Sequence, residues 1–390
     1  MRIGYDLNTA LRFNRIPDIE KILMSKAEQL LTLVLPLKGR ECFTLRIMDF
    51  FDRSKLPFKV IIADGSKTEA ISNILSHPEK YPNVNYAYKR FPFDANYIDF
   101  YRKMVATLTE VETPYVALLD NDCFPVVEGL SESIKFLESN REYSICRGQH
   151  IDYKLNPFPS SPENLLHGCS LSIHPDYFDK SHTIWSSFEN QDPLERILDW
   201  SHCTCITYYS VFRTKILLDS WKFIARNDCC DLFFCEIALA LTALANGKSK
   251  VIEYPFILRQ QNSPESVSKE AIQKMDILDR MFVEKWTKNI NQLVSDTAII
   301  ASEVYGCEQA KAKIKITLAL KNHFADRLYP YLEKRALSKK DGQSDIASSD
   351  RKTADSGVDE PIILSSLKDV HPNLIGIIEF LKLEVLEKIQ

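Results

Sequence analysis

The sequence predicts an α/β protein built on a mainly parallel sheet, and three observations carry that expectation. Short, nearly continuous apolar runs alternate with stretches of helical periodicity through residues 30–119. Strands covered by helices on both faces have this pattern. The gaps between runs each hold a crossover helix, the βαβ arrangement that makes neighbouring strands parallel. Apolar residues are 45% and charged residues 26% of the 390, which suits a soluble chain of two or three domains with a sizeable core.

The elements follow in order. LLTLVLP (30–36) reads as a buried strand and GRECFTLRIMDFFDRS as the helix after it. FKVIIAD (58–64) and NVNYAYK (83–89) are the next strands, each followed by a helical stretch, and YVALLD (115–120) is the fourth. A helix over 126–140 and a strand over 143–148 come next, and residues 149–200 read as loop. CTCITYYSVFR (203–213) reads as a strand, TKILLDSWKFIAR as a helix, and FFCEIALALTALANG (233–247) as a buried helix closed by Gly247. KSKVIEYPFIL returns as a strand. The expected division is an N-terminal segment 1–29, a sheet domain 30–262 and a helical region 263–337. A flexible linker 338–361, poor in apolar residues, and an amphipathic helix in 362–390 follow.

Charge and targeting signals narrow the function classes. A net charge of −4 gives no reason to expect a nucleic-acid binder. The first residues lack the apolar core of a signal peptide, and the longest apolar run, 233–245, falls short of a span and carries Glu236. The expectation is a cytosolic protein without a transmembrane segment. Its ten cysteines are then expected to be reduced. His202, Cys203, Cys205, Cys229, Cys230 and Cys235 cluster in sequence, but CxC and CC lack the CxxC spacing of zinc knuckles.

The strand ends carry the chemistry. Ligands of open parallel sheets bind beyond the carboxyl ends of the strands. There the first strand gives Leu37, Lys38, Gly39 and Arg40, the second Asp64, Gly65 and Ser66, and the fourth Asp120, Asn121 and Asp122. Each group alone is ordinary turn chemistry. Together they place a basic loop, a lone acid and a carboxylate pair on one rim, a site for a polyanion that brings a metal. Magnesium and manganese are hard ions held by carboxylates together with substrate phosphates. Such an ion neutralises the charge building on a departing diphosphate, while Lys38 or Arg40 could meet phosphate oxygens.

In this order and spacing, LVLPLKGR, KVIIADGS and TPYVALLDNDCFP resemble the nucleotide-binding half of GT-A glycosyltransferases, most closely the family 2 type. CEIALALTALANGK (235–248) extends the likeness, because Glu236 and Gly247 stand eleven residues apart, as an acid and a glycine do in that family. KFLESNREYSICRG and YYSVFRTKIL are similar to a bacterial subgroup used in surface-polysaccharide assembly. The resemblance covers residues 30–260. It implies a GT-A fold, Rossmann-like with a mainly parallel sheet, followed by a C-terminal helical extension. It also implies a metal-dependent, inverting transfer of the hexosyltransferase kind, with Mn2+ or Mg2+ as cofactor. The donor would be a nucleotide-sugar, a UDP-sugar first, and the acceptor a glycan or lipid-linked glycan at the inner face of the membrane.

Residue by residue, the resemblance makes Asp120 and Asp122 the metal-holding pair and Asp64, with Ser66 beside it, the nucleoside contact. Pro36 and Lys38 line the base and ribose, and Arg40 and Lys103, with Arg259, are cations for phosphate. Glu236 is the acceptor base, with Asp231 the competing candidate and Asp228 a weaker one. Leu-Lys-Gly after the first strand departs from the family's Thr-Tyr-Asn, and Cys235-Glu236 from its acidic pair. Two other classes stay in view. A sugar-1-phosphate nucleotidyltransferase would carry a glycine-rich basic signature where LPLKGRE stands. A non-catalytic scaffold would have no use for Asp120, Asp122 and Glu236. The C-terminal helices are expected to pack on the domain or to meet a second copy or a partner enzyme.

Overall fold

The computed structural model describes residues 29–156, 170–173, 186–203, 207–229, 231–263, 277–340, 376–377 and 380–381. Among the described residues nine strands form one mixed sheet: β1 Leu31–Leu37, β2 Lys59–Asp64, β3 Tyr86–Arg90, β4 Tyr115–Leu118, β5 Cys123–Pro125, β6 Tyr143–Asn156, β7 Ser170–Ile173, β8 Val211–Arg213 and β9 Lys248–Gln260. Their order is β3-β2-β1-β4-β8-β6-β9-β5, with β7 paired to β6. The first four strands are parallel, as the alternation of runs and helices predicts. Beyond β4 the directions are mixed: β8 is antiparallel to β4 and β6, β9 runs parallel to β6, and β5 is antiparallel to β9.

The period-two pattern of the strands divides the core into two layers. Leu31, Leu33, Leu35 and Leu37 of β1 face one layer and Val34 the other. The first layer is closed by α1 (Glu41–Ser54) and α4 (Val127–Ser139). The second is closed by α3 (Tyr97–Thr109), α5 (Pro193–Ser201), α6 (Thr214–Arg226) and α7 (Leu232–Asn246). The helix expected after β2 shrinks to one turn, α2 (Ser72–Leu75). Two of the cysteines grouped in the sequence, Cys205 and Cys230, lie outside the described residues.

Residues 149–200 are not loop throughout. β6 runs on to Asn156, β7 pairs with it, and α5 follows. Asp192 caps α5 by accepting from the Leu194 N–H at 2.8 Å, with Pro193 at the first helical position. Leu194, Ile197 and Trp200 then bury one stripe, a three-residue spacing that the polar surroundings obscure in the sequence. Arg196, also buried, donates to the Leu244 carbonyl at the end of α7.

The described part of the helical region holds α8 (Ile277–Met281), α9 (Glu284–Tyr305) and α10 (Gln309–Lys340), so α10 runs a few residues into the stretch expected to be linker. Leu293 and Ala298 of α9 and Ile316 and Leu320 of α10 join the second core layer, which makes these helices part of the same body. Of the expected C-terminal helix, Gly376, Ile377, Phe380 and Leu381 are described, and the last three belong to the first layer. The Phe380 ring lies 5.3 Å from Phe50 and 6.1 Å from Phe124.

Gly129, in the first turn of α4, lies against β9 so closely that a Cβ there would come within 2.0 Å of the Pro255 carbonyl oxygen. Backbone on both sides leaves no soft partner to give way. Gly129→Ala is therefore expected to cost about 1–3 kcal/mol through overpacking, read as a fall in the urea midpoint at unchanged m-value; an unchanged midpoint would show that α4 can slide on β9.

Candidate active site

The site grows from the loops that leave β1 and β4. After Leu37 the chain turns through Gly39 (φ 72°) and Arg40 (φ 61°), both left-handed. A side chain costs about 1–2 kcal/mol in that region, so Arg40 must be held there. The Asn121 side-chain amide donates to the Arg40 carbonyl at 3.2 Å and to Thr44 Oγ1 at 3.1 Å. The Arg40 guanidinium reaches Asp122 Oδ2 at 2.7 Å, and the Ser263 hydroxyl donates to the same oxygen at 2.6 Å. Asp120 accepts a short hydrogen bond from the Tyr209 hydroxyl. The loop between β4 and β5 is thus fixed by residues from α1 to the end of β9.

These groups line a cleft of about 210 Å³. Pro36, Lys38, Arg40, Lys103, Asp120, Asp122 and Glu236, all singled out in the sequence, share its wall with Arg259. Asp64, Ser66 and Asp231 are not among the lining residues. Asp64 is fully buried: it accepts from the Ser66 N–H at 2.8 Å and the Tyr88 hydroxyl at 2.6 Å, and pairs with Arg90 at 3.0 Å. Ser66 accepts from the Gly39 N–H at 2.8 Å, tying the ends of β1 and β2 together. Asp231 caps α7 through the Phe234 N–H and pairs with Arg280 at 2.7 Å. Asp228 pairs with Lys285 at 3.1 Å, away from the lining.

Two lining residues escape a reading of the sequence. Asp94, in a stretch that resembles a plain turn, pairs with buried Lys103, whose ammonium also donates to the Leu37 carbonyl at 2.8 Å. Its other oxygen, Oδ1, is buried with no hydrogen-bond partner among the described residues. Tyr209 lies in a stretch expected to be strand, and its role as donor to Asp120 depends on a fold contact across 89 positions. No local signal announces either.

The electrostatics separate the acids. Burial pushes the Asp120 carboxyl above its ordinary range and the charge on Asp122 pushes it further, against the pull of Tyr209 and Arg259. Burial also acts upward on Asp122, but Arg40 and Ser263 outweigh it and hold that carboxyl below its ordinary range. Glu236 faces the solvent of the cleft with protein packed closely around it. The resulting desolvation raises its pKa, with Arg259 and Arg327 opposing and Asp120 adding to the rise. A rise is the direction that a general base working at neutral pH calls for.

Asp120, Asp122 and Cys123 bring ligand atoms within 4.8 Å of one another; among the described residues no other set of three His, Cys, Asp or Glu side chains does so. The sequence cluster around His202 and Cys235 therefore does not gather among them. Burial drives the Cys123 thiol well above its ordinary range, and a soft sulfur suits Mg2+ or Mn2+ less well than a carboxylate does. The usable donors are two carboxylates, hard oxygens that fit Mg2+ or Mn2+. The raised Asp120 carboxyl, next to a charged neighbour, is the group that a cation there would relieve.

No family model and no curated protein matches the chain. Among solved structures it is similar to residues 1–349 of TarS from S. aureus, at 11% identity over 80% of this chain and 92% of that one, with a TM-score of 0.42. A complex of the same fragment with UDP-GlcNAc gives 10%, the same coverage and 0.41. The mannosyltransferase PcManGT from Pyrobaculum calidifontis, in complex with GDP-Man and Mn2+, gives 11% identity over 89% of this chain and 85% of that one, with a TM-score of 0.37. At such identity and overlap, the chemistry of this cleft has to be argued from its own residues. Among the described residues no helix is long and apolar enough to cross a membrane.

The raised Glu236 carboxyl gives a pH test. The folded protein keeps it protonated to higher pH than the unfolded chain does. Its contribution to stability is therefore complete below the ordinary carboxylate range and is lost as pH climbs through the raised value. Glu236→Gln carries no such loss, so its stability relative to the parent is expected to improve steadily from acid to neutral pH in urea titrations. Parallel curves for the two proteins would overturn the assignment.

Proposed function

We infer that the protein is a GT-A-type glycosyltransferase that moves a sugar from a nucleotide donor to an acceptor hydroxyl, with inversion. The observation that carries this reading is the single cleft in which Asp120, Asp122, Arg259 and Lys38 line the same wall as Glu236. In this reading Asp120 and Asp122 hold Mg2+ or Mn2+, whose chemistry is to neutralise the diphosphate as it leaves. Arg259 and Lys38 meet phosphate oxygens, and Pro36 borders the nucleoside. Lys103 acts from the Asp94 ion pair, positioning the wall of the pocket.

Glu236 is the base, in preference to Asp231, whose carboxylate is already engaged by the α7 N-terminus and Arg280. The acceptor oxygen forms a bond to the anomeric carbon as the bond from that carbon to the diphosphate oxygen breaks. The departing electron pair stays on the diphosphate, and the acceptor's proton passes to the Glu236 carboxylate. Asp64 and Ser66 serve by shaping the β1–β2 end rather than by touching the donor. A UDP-sugar is the first donor to try, and a glycan or lipid-linked glycan of a bacterial surface polysaccharide the first acceptor, on the cytosolic side of a membrane.

A panel of nucleoside diphosphates, titrated with Mn2+ and with EDTA, tests the donor half. One nucleotide is expected to bind only with metal, and Asp122→Ala to abolish that dependence; binding indifferent to both would make the two acids turn residues. Donor turnover tests the rest. Glu236→Gln is expected to lower turnover by about 10²–10⁴ while leaving metal-dependent nucleotide binding in place. Free nucleoside diphosphate as product supports transfer, whereas pyrophosphate would reassign the chain to nucleotidyl transfer and no product would favour a scaffold.

A further inference from the structure

Helix α10 is apolar on two sides, and the described protein covers one of them. Ala312, Ile316, Ala319, Leu320, His323 and Phe324 are buried against the domain. At 100° per residue, the opposite side carries Ile314, Leu318, Tyr329 and Leu332, which are 71%, 48%, 72% and 41% exposed. Lys311 and Lys321, both exposed, lie on the same stripe. The α10 sequence holds nine Lys and Arg against Asp326 and Glu333, a formal +7 within a chain whose net charge is −4. Such a helix calls for a partner that takes both apolar side chains and positive charge.

We propose that the outer face of α10 is a docking surface for an anionic lipid bilayer. The apolar stripe would enter the headgroup–acyl boundary while the lysines extend to lipid phosphates, and Tyr329 suits that interface. The other occupants fit less well. Nucleic acid would use the charge and leave Ile314, Leu318 and Leu332 exposed. A second copy seated on this stripe would bring the exposed Lys311 and Lys321 of one copy near those of the other. The chain's own apolar C-terminal residues, Ile377, Phe380 and Leu381, are seated in the other core layer, against Phe50 and Phe124.

The inner face of the same helix carries Arg327 to Phe233, with its guanidinium 5.8 Å from the ring centroid, and its charge acts on Glu236. Docking through α10 therefore brings the Glu236 side of the cleft close to the membrane. On the transferase reading, with which this consequence stands or falls, a lipid-linked acceptor is delivered to the base without leaving the bilayer. The surface itself does not depend on that reading.

Co-sedimentation of the full chain with vesicles tests the proposal. Binding is expected to vesicles of phosphatidylcholine mixed with phosphatidylglycerol, and not to phosphatidylcholine alone, and to fall with salt. Two variants at exposed positions separate the terms: Ile314→Ser with Leu318→Ser and Tyr329→Ser, and Lys311→Glu with Lys321→Glu. Each is expected to weaken binding about tenfold or more with an unchanged thermal melt. If the first variant misfolds, the charge reversal decides alone. The proposal is overturned if the full chain ignores both vesicles, if the variants bind like the parent, or if the face instead mediates self-association without vesicle binding. A chain that binds anionic vesicles yet turns over no donor would keep this surface and discard the transferase reading.

Discussion

Two carboxylates within a few ångströms of each other at the end of a buried strand are the constraint around which the rest of this structure is arranged. Asp120 and Asp122 repel one another, and burial makes that repulsion expensive. The protein answers with asymmetry. Asp122 receives a guanidinium and a hydroxyl, while Asp120 receives one phenol and the more distant charge of Arg259. One acid is thereby fixed as an anion and its neighbour is left partly dependent on whatever binds. The cost reaches into the backbone: Arg40 adopts a left-handed conformation that its side chain disfavours, and Asn121 holds it there.

The same economy explains the ion pair of Asp94 and Lys103. Taking both charges out of water costs several kcal/mol per ion before their attraction offsets it, so a pair that served packing alone would be better replaced by apolar groups. Here it lies beneath the loop after β1, with Lys103 also bound to the Leu37 carbonyl. It sets the floor of the cleft polar and rigid at once. The second layer, with Trp221 and the alanines of α7, supports the helix that carries Glu236. Different parts of the cleft wall therefore rest on different kinds of interaction.

The parallel half of the sheet was legible because its strands are covered on both sides and read as continuous apolar runs. The strands beyond β4 were harder. β5 is three residues long and exists because β9 pairs with it, and β7 exists because β6 does; neither has a local pattern to detect. α5 did leave a signal in Asp192, Pro193 and the spacing of Leu194, Ile197 and Trp200, but the polar composition around it hid the period. In the cleft, the strand-end rule brought Lys38, Arg40, Asp120 and Asp122 together, and the buried helix brought Glu236. It did not anticipate that Asp64 would be enclosed by Tyr88 and Arg90, because those partners come from the neighbouring strand and their side chains are unremarkable in sequence. Tyr209 gains its position from long-range packing, and Asp94 from a pair with Lys103 nine residues on that no pattern in the sequence marks.

The place of Phe380 against Phe50 and Phe124 has a consequence in time. Phe124 sits two residues past Asp122, yet its packing partner is made about 250 residues later. At about 5–20 residues per second, synthesis leaves that aromatic cluster open on one side for roughly ten seconds to a minute after the acidic loop has emerged. During that interval the backing of the loop is an apolar surface facing solvent, accessible to chaperones and slow to settle. Phe380 closes that side once it has been made, so the loop gains this part of its support well after its own residues have emerged.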